Sequence, residues 1–465
     1  MRIRQKFFGN KAFYARVVSL AVPIIIQNGI TNFVSLLDNI MVGSLGTEQM
    51  SGVSIVNQFI FIFNLLIYGA ISGAGIFCVQ YYGRNDRKGV AHAFRFKILS
   101  NVVLTTASIA LFALLGDGLI SSFLFENTSE GDLALTLEKG SEYLKIMLIG
   151  LMPYAISQVY ASTLRETEHT VVPMVASVTA VITNFVLNYI LIFGKLGFDP
   201  MGVKGAAIAT VISRFAELSI LVIWSHRNTD KCLYFKGVFK SLAIPSELVR
   251  KMILKSLPLM ANEFLWSISL TLRNQCYATR GIEVVAAQNI CSTIFNVFSV
   301  IYMSFGTVIA IMVGNLLGQG RFEEARDTNR KVLVCSVSCG ITLGVLLALT
   351  SGVFPNLYNT GDNVKSIATY MMIVSGIYMP FYAFSNSSYF SIRSGGRVGI
   401  TFLMDSGFMC LFMLPISLAV SWLTDVNVFV LFAICQGAET LKAFVGLLML
   451  NKTDWTKRIV GEDQQ

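Results

Sequence analysis

The chain has 465 residues, 54% of them hydrophobic and only 14% charged, with a mean hydropathy of +0.64 and a formal net charge of +9. Soluble domains carry roughly a quarter charged residues, so this composition excludes an ordinary globular enzyme and a disordered chain and indicates a protein built for lipid. The positive excess does not indicate nucleic acid: the basic residues lie in short connections between apolar runs, where they orient a membrane protein and meet anionic lipid.

A helix needs roughly 20 mainly apolar residues to cross a bilayer. Twelve such spans are predicted, at 15–42, 51–79, 96–115, 140–163, 170–193, 202–225, 254–279, 285–313, 331–354, 366–391, 398–422 and 428–450. The first is too long for a cleavable signal and lacks a small-residue cleavage site. Arg2, Arg4, Lys6, Lys11 and Arg16 lie at its start, and it ends in Leu37-Asp38-Asn39-Ile40-Met41-Val42-Gly43-Ser44-Leu45-Gly46. Arg84, Arg87 and Lys88 follow the second span. The 116–139 connection is acidic (Asp117, Glu126, Glu130, Asp132, Glu138), and 117–135 is expected to form a short surface element. Asn184 and Asn188 share a face of the fifth span. The sixth opens on Gly205-Ala206-Ala207-Ile208-Ala209-Thr210, small residues that let helices approach closely, and then carries Arg214 and Glu217, spaced for an intrahelical pair. A basic linker at 226–253, containing Pro245, is expected to include an amphipathic helix. Later basic clusters are Arg321, Arg326, Arg330 and Lys331, then Lys452, Lys457 and Arg458. All basic clusters fall on one side, which places both termini in the cytoplasm of a cell-membrane protein. Eight scattered cysteines read as small buried apolar residues, and His92, His169 and His226 as solvated histidines near loop ends.

Pro23, Asn39, Gly46, Glu48, Ile55, Phe63 and Gly83 recur 235 residues later as Pro258, Asn274, Gly281, Glu283, Ile290, Phe298 and Gly318. In each copy the proline is expected to open the helix that a Gly-x-Glu follows. A shifted register relates Pro153 to Pro380 and Arg165 to Arg393, with both prolines mid-span as helix kinks. The fold class is therefore an all-α integral membrane protein, with twelve transmembrane helices in two parallel six-helix repeats related by a pseudo-two-fold axis along the membrane normal. The expected divisions are an N-lobe at 1–225, the linker at 226–253, a C-lobe at 254–450 and a cytoplasmic tail at 451–465.

Ionisable groups at membrane depth are costly and suggest function. A helical rise of about 1.5 Å per residue brings Asp38, Asn184, Asn188 and Thr210 to similar depths in the first repeat. One carboxylate with amide and hydroxyl oxygens suits a small cation or a shared proton. It equally suits an aspartate near a helix end satisfied by neighbouring asparagines.

These segments resemble the multidrug and toxic compound extrusion (MATE) family. The matching features are the Asp-x-x-x-Val-Gly-x-Leu-Gly end of span one, Gln80-Tyr81-Tyr82-Gly83-Arg84-Asn85-Asp86, Asn184-x-x-x-Asn188 with Leu191-Ile192-Phe193-Gly194, and Gly202-x-x-Gly205-Ala206-Ala207-x-Ala209-Thr210. The resemblance implies a monomeric antiporter, not an enzyme, exporting amphipathic or cationic small molecules. It needs no cofactor beyond sodium or protons as coupling ion. By the same resemblance Asp38, Asn184, Asn188 and Thr210 bind that ion, sodium included. Some relatives carry an aspartate where Asn188 stands, so the site here holds a single acid.

Glu263 resembles the family's second-lobe glutamate, but span ten lacks the acid that often accompanies it. Glu263, Asp405 and Lys442 are expected to meet in the second lobe, with Arg273 further out, and an ion-paired structural network is the simpler account of them. Phe59, Phe63, Tyr68, Trp266, Phe298, Tyr302, Met303 and Phe305 are candidates to line an inter-lobe substrate cavity, since aromatic faces and adaptable methionines suit varied ligands. The alternative function is a flippase for a lipid-linked saccharide. Asp38 opposes it, because an anionic head group calls for a basic cavity, although Arg273 leaves it some room.

Overall fold

The computed structural model describes residues 7–124 and 133–461, and most of them are helical. In the absence of water a backbone must satisfy its own hydrogen bonds, and apolar runs of this length do so as helices. Twelve long helices follow in order among the described residues. The first six are α1 (Lys11–Gly43), α2 (Thr47–Gly83), α3 (Arg87–Leu124), α4 (Leu133–Glu166), α5 (Val171–Phe193) and α6 (Val203–Arg227). The other six are α7 (Ser246–Ala278), α8 (Ile282–Gly318), α9 (Phe322–Thr350), α10 (Asp362–Ser394), α11 (Val398–Leu423) and α12 (Val428–Lys452). Within α11 the backbone passes through π-turns at Leu403–Gly407 and Met409–Met413.

Eleven of these helices are long and apolar enough to cross a membrane. The remaining one, α7, has 33 residues like α1 but carries Glu247, Arg250, Lys251, Lys255, Glu263 and Arg273. Most helices outrun their predicted spans because helical hydrogen bonding continues into polar flanks. Pro23 and Pro258 accordingly lie inside α1 and α7 and do not open them. Pro153 and Pro380 lie inside α4 and α10 as expected.

The chain gathers into two compact units. The N-terminal unit comprises Ile26–Cys78 and Arg87–Met260; the C-terminal unit comprises Met1–Ile25, Val79–Asp86 and Ala261–Gln465. The repeated prolines Pro23 and Pro258 stand just before the points where α1 and α7 pass from one unit to the other. Gly46 and Gly281, equivalent in the repeat, both turn the chain with positive φ, +134° and +111°, where a side chain would be strained.

Three expectations about the connections are revised. The linker is shorter than 226–253, because α6 continues to Arg227 and α7 begins at Ser246, and its amphipathic helix is only the 3-10 turn Leu233–Phe235. That turn buries Tyr234 and Phe235 in the N-terminal unit, where Phe235 meets Phe94 and Tyr160. The histidines are half-buried and not freely solvated. His226 contacts the Tyr160 hydroxyl at 3.0 Å, and His169 lies against Trp224 and Cys232, because the linker folds back over the helix ends. Of the surface element expected at 117–135, residues 117–124 continue α3 and 133–135 open α4; the rest lies outside the described residues.

Gln80 shows what the segment after span two does. It is fully buried in the C-terminal unit, where Nε2 donates to the carbonyls of Ser394 and Lys457 (3.0 and 3.2 Å) and Oε1 accepts from the Ile459 amide (2.8 Å). The chain's last described residues are thereby pinned to the end of α10.

Candidate functional site

In the N-terminal unit α5 and α6 come close because Gly205 has no side chain; a Cβ there would sit 2.8 Å from the Leu191 carbonyl oxygen. This approach brings Asn184 and Asn188 of α5 to Thr210 of α6, and Asp38 of α1 completes the group. Asn188 Nδ2 donates to Asp38 Oδ1 at 2.7 Å, a charge-assisted hydrogen bond. Asn188 Oδ1 is buried and finds no donor.

The Asn184 amide can face either way. With its nitrogen toward Asp38 it donates to Oδ2 at 2.9 Å while its oxygen accepts from Thr210 Oγ1 at 3.2 Å. With its oxygen toward Asp38, Nδ2 donates to Thr210 Oγ1 and Oδ1 accepts from Asn188 Nδ2, each at 3.2 Å, but that oxygen then also faces the carboxylate oxygens. Hydrogen-bond chemistry selects the first orientation beside an ionised aspartate.

Arg214 and Glu217, further along α6, do not pair as their spacing suggests. Neighbouring helices outcompete the intrahelical contact: Arg214 lies 5.0 Å from the Tyr154 ring centroid, and Glu217 accepts from Ser177 Oγ at 3.0 Å. Tyr143 lies within electrostatic range of both Asp38 and Arg214. A further pair escaped the sequence reading. Lys97 of α3, fully buried, donates to Glu166, Ser162 and Thr163 of α4.

In the C-terminal unit Lys442 of α12 pairs with Asp405 of α11, and Asn262 of α7 donates to the same carboxylate at 2.8 Å. Glu263 contacts Asn262 and lies within electrostatic range of Asp405, Lys442 and Arg393, so the three expected residues are neighbours. Arg273 has a partner of its own, Glu439 of α12, at 3.0 Å. No sequence signal beyond its place in an apolar span had singled out Glu439.

The cavity candidates divide within their own units. Phe59, Phe63 and Tyr302 are buried, Phe59 stacking on Phe112 and Phe63 tilted against Tyr154. Trp266 packs on the cluster of Phe408, Met409 and Met413, and Phe298 on the core around Tyr302. Tyr68 and Met303 are exposed.

The family model described as MatE matches the chain over residues 23–190 and again over 258–420, well over half of it. The chain belongs to the MATE family. It is thus a multi-pass membrane protein of a transporter family. Its relatives include a probable multidrug resistance protein NorM of Thermotoga maritima, 26% identical over 82% of this chain and 80% of that one. Another NorM, of Haemophilus ducreyi, is 24% identical over 78% and 77%. Among solved structures, a MATE in complex with MaL6 superposes with a TM-score of 0.84 at 17% identity, covering 97% of each chain. An outward-facing multidrug resistance MATE transporter of the MOP superfamily gives 0.84 at 17% identity over 96% of each. At that identity the structures establish the fold alone.

Proposed function

We propose that this protein exports amphipathic, often cationic, small molecules from the cell as a monomer, by alternating access of an N-lobe (1–225) and a C-lobe (254–450) joined by the linker. Inward sodium or proton flow drives it, with the ion held by Asp38, Asn184, Asn188 and Thr210. The observation that carries this reading is the buried, donorless Asn188 Oδ1 beside a carboxylate. An unsatisfied buried acceptor costs about 1–3 kcal/mol, and a small cation bridging it to Asp38 relieves that cost. Loading also favours turning Asn184 so that its oxygen faces the ion. The empty and loaded states then differ in hydrogen bonding across α1, α5 and α6. A ligand shifts a conformational equilibrium only through such a difference in affinity. The names of the relatives support multidrug compounds as cargo.

The test uses purified protein in liposomes loaded with ethidium, with an inward sodium or an inward proton gradient imposed separately. Efflux driven by one gradient and lost in Asp38→Asn is the expected result and identifies the ion. Full efflux from a folded Asp38→Asn protein overturns the assignment of Asp38.

A further inference from the structure

The two repeats carry the same polar framework with its charges reversed. Asp38 of α1 corresponds to Arg273 of α7 at the 235-residue offset that relates their neighbours Asn39 and Asn274. The helices α6 and α12 have 25 residues each; matched from Val203 and Val428, they place Arg214 opposite Glu439 and Glu217 opposite Lys442. The match keeps the buried positions in step: Ala206 with Leu431, Ala207 with Phe432, and Leu221 with Gly446. Contacts correspond too. Glu217 meets Ser177, the seventh residue of α5, and Lys442 meets Asp405, the eighth of α11. At three aligned sites an acid in one repeat is therefore a base in the other, or the reverse.

The difference between the repeats lies in what the aligned charges do. In the N-terminal unit Asp38 is held by amides, and Arg214 lies over the Tyr154 ring, with no carboxylate partner among the described residues. In the C-terminal unit the equivalent positions close on each other, Arg273 Nη1 to Glu439 Oε1 at 3.0 Å, with side chains only 17% and 10% exposed. Tyr277, Tyr302, Tyr382 and Lys442 lie within electrostatic range of Glu439, and Lys442 is already committed to Asp405.

We infer that Arg273 is a resident cation: its guanidinium, tethered to α7 and neutralised by Glu439, fills in the second repeat the role that an exchangeable monovalent cation fills at Asp38 in the first. This rests on the reading of Asp38 given above. At this position the second repeat is then permanently loaded, and of the aligned pair only Asp38 exchanges ions. Removing the guanidinium exposes Glu439 as a second cation site.

The experiment measures sodium-22 binding, and proton uptake in sodium-free buffer, by the purified full-length protein in detergent. The wild type is compared with Asp38→Asn, with Arg273→Met in both backgrounds, and with the triple variant Asp38→Asn/Arg273→Met/Glu439→Gln. Expected are loss of binding in Asp38→Asn, its return in Asp38→Asn/Arg273→Met, and renewed loss when Glu439→Gln is added. Arg273→Lys, which keeps a resident charge, gains nothing. Undiminished binding by Asp38→Asn overturns the coupling role of Asp38 alone, while no gain from Arg273→Met in either background overturns the resident cation. Should Arg273→Met fail to fold, the wild type decides. A carbodiimide reactive toward protonated carboxyls in apolar surroundings must leave Glu439 unmodified, and modification of Glu439 overturns the inference.

Discussion

Asp38 sits in a shell of neutral oxygens and amide hydrogens, so in the coupling role proposed for it one negative charge sets the strength of binding. Asn188 is the residue through which that strength can be changed, since it touches the carboxylate directly at 2.7 Å. Asn188→Asp replaces a donor with a second acid. Two like charges about 4 Å apart at an effective dielectric near 20 repel by about 4 kcal/mol, and a shared cation or proton relieves much of this. A fraction of it, about 1.4 kcal/mol, is a tenfold change. Asn188→Asp is therefore expected to lower the sodium concentration for half-maximal efflux by about tenfold, or to move proton-driven efflux to higher pH. Efflux titrations in liposomes check both, and unchanged titrations would mean that Asn188 does not face the bound ion.

At the scale of elements, small residues decide which helices touch. Gly83 and Gly318 are equivalent in the repeat and meet at the same crossing of α2 and α8. A Cβ on Gly83 would run into the Asn315 carbonyl, and one on Gly318 into that of Gln80. With backbone on the far side neither neighbour can yield, and overpacking of this kind costs about 1–3 kcal/mol. Gly318→Ala is expected to lower the unfolding temperature in detergent, whereas Gly352→Ala, with open space around it, is not. The linker supplies a pH-dependent contact. Burial pushes the His169 imidazole below its ordinary range, against smaller opposing effects from Thr167 and Glu168 and alongside Lys231. A depressed histidine favours the neutral form in the folded protein. Its contribution is fully present above the ordinary histidine value and is lost as the pH falls from there through the depressed value. His169→Gln is expected to flatten the fall in thermal stability between neutral and mildly acidic pH. An identical pH profile in the variant would show that His169 does not carry the effect.

For the molecule as a whole, orientation follows from where the basic residues lie. By the positive-inside rule the linker, Arg84 and Arg321 in their connections, and Arg87 and Arg326 in the first turns of α3 and α9 are expected on the cytoplasmic side with both termini. Gly118, near the far end of α3, has open space around it, and Lys240 is exposed in the linker. In a cysteine-free background an impermeant thiol reagent is expected to label Gly118→Cys on intact cells and Lys240→Cys only on opened ones. The reverse pattern would invert the topology and make the same ion gradient drive import.

The sequence by itself determined the elements: apolar runs long enough to span lipid must be helical, and a fixed offset between Pro23 and Pro258 or Gly46 and Gly281 reveals two copies whatever their packing. Depth along a straight helix also placed Asp38, Asn184, Asn188 and Thr210 in the same half of the first repeat, and the resemblance to the family grouped them as one site. Partner choice was beyond the sequence. Glu439 for Arg273, Tyr154 for Arg214, Ser177 for Glu217 and the partners of half-buried His169 and His226 depend on how helices rotate and how loops fold back. Residues far apart in sequence control both, and no local pattern encodes them.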